Sequence, residues 1–121
     1  MRAVVLAAVG VFFAGMGIYA LVAPALLARP FGLVVDSAVS RSEVRAVYGG
    51  FGLAIAGLLG WAASGTGDLR SGAAVTVGVA LAGMAAGRVL SRVLDGATAF
   101  YPIWFYFLVE ALGAAVVLVV A

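Results

Sequence analysis

Four apolar runs of about twenty residues each leave this chain few ways to fold. They cover roughly 3–23, 42–63, 73–94 and 100–121. At about 1.5 Å per residue, each is long enough as a helix to cross about 30 Å of hydrocarbon. Only 10% of the 121 residues are charged, whereas a soluble domain carries about a quarter. The expected fold is all-α: a single integral-membrane domain built as an antiparallel bundle of four transmembrane helices.

The breaks between runs carry their own signals. The first run is uncharged and stops at Pro24. A signal peptide is the rival reading, but the run exceeds the usual apolar core of about 7–15 residues, so a retained span is expected. Leu26 to Arg29 is expected to lie at the interface. Ser40 and Glu43 have the S-x-x-E spacing of a capping box at the start of the second run. The stretch from Ser64 to Gly72 is rich in turn residues. Asp95-Gly96 reads as a helix stop, with Gly96 suited to a left-handed cap, and Pro102 is acceptable in a first turn.

Four spans place both termini on one side. Arg29, Arg41, Arg45, Arg88 and Arg92 gather near the first and third loops, and Arg2 and Arg70 lie near the other side. The positive-inside rule puts those loops in the cytoplasm and both termini outside it. Small residues recur in phase: Gly52, Ala56 and Gly60 in the second run, Gly83 and Gly87 in the third. Such rows let helix backbones approach closely. Packing within the bundle is the first reading of them, and homo-oligomerisation through one row is the alternative.

Absences narrow the chemistry. The chain has no Cys and no His. That removes disulfides, thiolate nucleophiles, imidazole-ligated haem and Ser-His-Asp triads. No metal site and no cofactor are expected, because no dense carboxylate loop offers hard-cation ligands. A formal charge of +2 is too small and too dispersed for a nucleic-acid surface.

Two residues oppose their surroundings. Glu110 lies mid-way along the fourth run and Arg88 deep in the third. An unpaired charge in hydrocarbon costs at least about 2.5–3.5 kcal/mol, so such residues normally face a partner or a cavity. In antiparallel neighbours the two depths differ by about one turn, within reach of an arginine side chain. Glu43, Arg45, Tyr48, Arg92, Asp95, Trp104 and Tyr106 belong to the same half. Across that half, Glu43, Asp95 and Glu110 balance Arg45, Arg88 and Arg92, as a desolvated cluster requires. Plainer readings stand beside this one. Glu43 completes a cap, Arg92 and Asp95 close a helix at the interface, and Tyr101 and Trp104 form an aromatic belt. The plainer reading of Arg88 and Glu110 is a structural pair.

Together, Glu43-Val-Arg45-Ala-Val-Tyr48-Gly49-Gly50, Gly87-Arg88, Asp95-Gly96 and Glu110 resemble the small bacterial membrane proteins of domain-of-unknown-function family 4345. The resemblance runs through all four spans. It implies a four-helix protein of the bacterial inner membrane and points to Glu43, Arg45, Tyr48, Arg88, Asp95 and Glu110. It implies no activity.

The expected function is binding of a membrane lipid or lipophilic small molecule at Glu43, Arg45, Tyr48, Arg88, Asp95, Tyr106 and Glu110. The alternative is an acid–base enzyme, an isomerase or cyclase acting on a lipophile, with Glu110 as its catalytic group and Tyr106 orienting it. A small proton-coupled exporter fits less well, because the arginines would repel a cationic drug.

Overall fold

The computed structural model describes residues 1–121, which form helices and connecting turns with no strand. Helix α1 covers Arg2–Val22 and is followed by α2, Pro24–Ala28. The break falls where proline's ring disfavours helical geometry in the residue before it. Ala23 is turned out to φ −136° and ψ 64°. A 3₁₀ turn, Arg29–Phe31, then ends at Gly32.

Helix α3, Ala38–Val44, starts one turn earlier than the apolar run. Its capping box is Ser37 with Ser40, not Ser40 with Glu43. The Ser40 N–H donates to Ser37 Oγ and the Ser37 N–H to Ser40 Oγ, each at 3.1 Å. Ser40 to Glu43 of α3 are all polar, so hydropathy registers the helix only after it has begun. From Val44 the chain passes into a wide π-helical segment, Arg45–Gly50, and then into α4, Phe51–Ala63. The three form one continuous rod, Ala38–Ala63.

Helix α5 is Asp68–Asp95, with Asp68 in its first turn, where a carboxylate suits the helix dipole. It ends at Gly96, whose φ of +87° is open to glycine and costly for other residues. A second π-helical segment, Phe100–Trp104, leads into α6, Phe105–Val120. Four helical rods are long and apolar enough to cross a membrane: α1, α3–α4, α5, and Phe100–Val120.

The rods pack as two antiparallel hairpins. Along α1 and α4, Gly10 lies beside Ala56 and Leu59, and Gly17 lies beside Gly49 and Leu53. A Cβ on Gly17 would come within 2.9 Å of the Gly49 carbonyl oxygen, so glycine is what permits this approach. Along α5 and α6, Gly78 lies beside Val117 and Leu118, and Gly113 beside Leu81.

At one end the Arg29–Phe31 turn touches the Phe100–Trp104 segment, but the hairpins share their main core at the other. There Leu6, Leu59, Ala62, Ala74, Val77, Leu81, Ala114 and Val117 form a core fed by α1, α4, α5 and α6. At the opposite end the buried cluster shrinks to Ala20, Leu27 and Val44, which tie α2 and α3 to α1. Little else is interior: 20 of 121 residues are buried, and Val, Leu and Phe side chains cover the outer faces.

Candidate functional site

Where the hairpins separate, they leave a cavity of about 1020 Å³, and 19 of its 23 lining residues are hydrophobic. Phe12 and Met16 of α1, Leu27 of α2, Phe51 of α4, Leu81 of α5 and Val109 of α6 form much of its wall. Its polar side chains are Tyr48, Arg88, Tyr106 and Glu110. A large apolar chamber with a few convergent polar groups is the usual form of a small-molecule site.

Glu110 is only 3% exposed. Arg88 reaches it from α5 in a side-on fork. Arg88 Nε donates to Oε1 at 3.0 Å and to Oε2 at 2.8 Å, and Nη2 donates to Oε1 at 2.7 Å. This is the single ion pair of the chain. Both carboxylate oxygens are occupied, which offsets the loss of water that burial imposes. The guanidinium also stands 5.9 Å from the centroid of the Tyr106 ring. That ring is held in turn by Phe31, at 5.3 Å, and by Tyr101, at 6.3 Å.

The wide turn at Arg45–Gly50 divides its residues between two tasks. Gly49 faces α1, where a Cβ would collide with Leu21, while Tyr48 lines the cavity. Wide turns of this kind recur at functional sites because they re-aim side chains. Arg45, one turn earlier, does not line the cavity. Its Nε donates to the Leu21 carbonyl at 3.0 Å, among the last acceptors of α1 that have no partner along their own helix.

The seven residues expected at the site therefore separate into groups. Tyr48, Arg88, Tyr106 and Glu110 meet around one cavity. Glu43 is exposed on α3 and outside the cavity lining, and Arg45 is engaged with α1. Asp95 lines a second, smaller pocket of about 330 Å³ with Ser91, Arg92 and Trp104. Arg88 lines both pockets. The six-residue neutral cluster reduces to one bonded pair.

The sequence reading missed the apolar bulk of the site, which draws on every long helix and has no local motif. Phe31 is a particular omission, since nothing in its own neighbourhood places it against Tyr106. The opposite end of the protein also holds bonds that only the fold reveals. Arg2 Nη1 donates to the carbonyls of Ala62 and Gly65, each at 2.9 Å. Arg70 binds the Trp61 carbonyl and Ser64 Oγ, with its guanidinium 4.6 Å from the Trp61 ring centroid. Two arginines thus close the C-terminus of α4.

This architecture defines an all-helical protein with four potential membrane-crossing rods around an off-centre cavity that carries one buried ion pair. The chain belongs to the family described as Domain of unknown function (DUF4345), which matches residues 1–121. No curated protein and no solved structure matches the chain.

Proposed function

We propose that this is a multi-pass protein of the bacterial inner membrane that binds an amphiphile in the cavity, with its polar part at Arg88, Glu110, Tyr48 and Tyr106. The observation that carries the reading is the buried Arg88–Glu110 fork on the wall of an apolar chamber of about 1020 Å³. A merely structural pair needs no apolar hollow of this size beside it. Outward-facing Val, Leu and Phe on all four rods suit lipid as the surrounding solvent. The arginine distribution orients the cavity end toward the cytoplasm and both termini away from it.

Binding takes precedence over acid–base chemistry because three of about four acceptor positions of the Glu110 carboxylate already receive from Arg88. A general base needs a free lone pair directed at its substrate. The same guanidinium disfavours the exporter reading, since a cationic drug would meet Arg88 before Glu110.

Mass spectrometry of lipophiles that co-purify with the wild-type chain tests the reading. Glu110→Gln removes the anionic half of the ion pair, and Ala8→Trp obstructs part of the cavity while leaving the ion pair in place. A defined lipophile retained by the wild type and lost from both variants, each with its helix content intact, is the expected result. Equal retention of bulk phospholipid by all three would overturn it.

A further inference from the structure

The second pocket supplies a chemistry for the ligand's head. It opens beside the main cavity, and the two share Arg88, Met84 and Ile103. One molecule can therefore occupy both, with its apolar part in the larger chamber. The smaller pocket offers Arg88, Ser91, Arg92, Asp95, Thr98 and Trp104. Arg88 commits Nε and Nη2 to Glu110 and leaves Nη1 for another acceptor. Arg92 follows one turn later on the same face, at a spacing that brings Cβ atoms within about 5–6 Å. Two guanidinium groups so placed are a binding element for phosphate oxygens.

Charge balance then asks for more than a phosphate. Arg88 is neutralised by Glu110, so the pocket retains one positive charge on Arg92 and one negative charge on Asp95, neither in an ion pair. Asp95 is the last residue of α5. There a carboxylate meets the negative end of the helix dipole, an arrangement that a bound cation would relieve. Arg92, by contrast, suits the last turn. Arg92 and Asp95 also lie about 6 and 10 Å beyond Arg88 along α5, toward the helix end.

We infer that the occupant is a phospholipid with a zwitterionic, amine-bearing head group: phosphate held between Arg88 Nη1 and Arg92, ammonium at Asp95, and acyl chains in the large cavity. This rests on the reading of the cavity as an amphiphile site and specifies what that site selects. An anionic phosphoglycerol head would satisfy the arginines and leave Asp95 without a cation.

The test is native mass spectrometry of the full chain in detergent. It is offered an equimolar mixture of phosphatidylethanolamine, phosphatidylglycerol and diacylglycerol with identical acyl chains. The wild type is expected to retain phosphatidylethanolamine over phosphatidylglycerol by about tenfold, the size of one charge-assisted hydrogen bond. Asp95→Asn, an exposed substitution that leaves the fold alone, should abolish that preference. Arg92→Gln should bring both phospholipids down toward diacylglycerol. Equal retention of all three by wild type and variants would overturn the head-group inference while leaving an amphiphile cavity standing. A wild-type preference for phosphatidylglycerol would also overturn it. Retention of none of the three would overturn both the inference and the reading beneath it.

Discussion

Arg88 and Glu110 meet side-on across α5 and α6, with Nε donating to both carboxylate oxygens and Nη2 doubling one bond. The geometry commits two of the three guanidinium nitrogens to one partner and engages both oxygens of the carboxylate. Removing either member strands a charge in an apolar wall.

A double-mutant cycle measures that consequence. Glu110→Leu and Arg88→Met are each expected to lower stability by about 3–5 kcal/mol, the range for breaking a buried pair. Arg88→Met with Glu110→Leu should recover much of the loss. Chemical unfolding in detergent gives the four stabilities. Additive losses would show that the two groups do not act as a unit.

The glycines separate into tight and idle ones. Gly17→Ala places a methyl against the Gly49 carbonyl and the backbone of Leu53, and should destabilise by about 1–3 kcal/mol, as overpacking does. Gly83→Ala meets nothing within 4 Å, and should be neutral or gain up to about 1 kcal/mol of helix propensity. Thermal midpoints of the two purified variants distinguish them.

Arg2 and Arg70 should hold the end of α4 against fraying. Replacing Arg70 with Ala is expected to cost about 0.3–1 kcal/mol locally, typical of a cation at a helix C-terminus. Hydrogen exchange of the Ala62, Ala63 and Ser64 amides should quicken while the middle of α4 stays protected. Unchanged exchange would mean that the Trp61 carbonyl finds another donor.

The absence of cysteine makes the proposed orientation testable with single reporters. Thr66→Cys should react with a membrane-impermeant maleimide added to intact cells. Ala97→Cys should react only after the cells are opened. The reverse pattern would invert the proposed orientation.

Much of the fold could be read from the chain because length and apolarity act locally. A run that can hide its backbone polar groups only by becoming helical gives away its structure without its neighbours. The approach of Arg88 to Glu110 was legible for a related reason, since depth along a straight helix is simple arithmetic. The misplaced cap is instructive. Ser37 and Ser40 form the reciprocal bonds expected of Ser40 and Glu43, and the polar stretch from Ser40 to Glu43 hides the helix start from hydropathy.

What escaped the sequence depends on which segments become neighbours. Arg45 looked like a site residue until the end of α1 was known to lie beside it. The small-residue rows looked alike, yet Gly52 abuts Phe13 and Gly17, while Gly83 and Gly87 meet nothing nearby. The cavity is the extreme case, because a space that side chains fail to fill leaves no trace in any one stretch of residues.

The wide turn at Arg45–Gly50 also sets the rotational phase of everything that follows it. A π-type segment accommodates an extra residue within an otherwise α-helical rod. With every residue kept but forced into ordinary α-turns, the segment would swing every later position by about 100° relative to α3. Gly52 would leave α1, Tyr48 would lose its aim, and a bulkier face of α4 would meet the first helix. In this protein a fully regular helix with perfect hydrogen bonding would be the damaged one, because the irregular turn is what keeps α4 in step with α1.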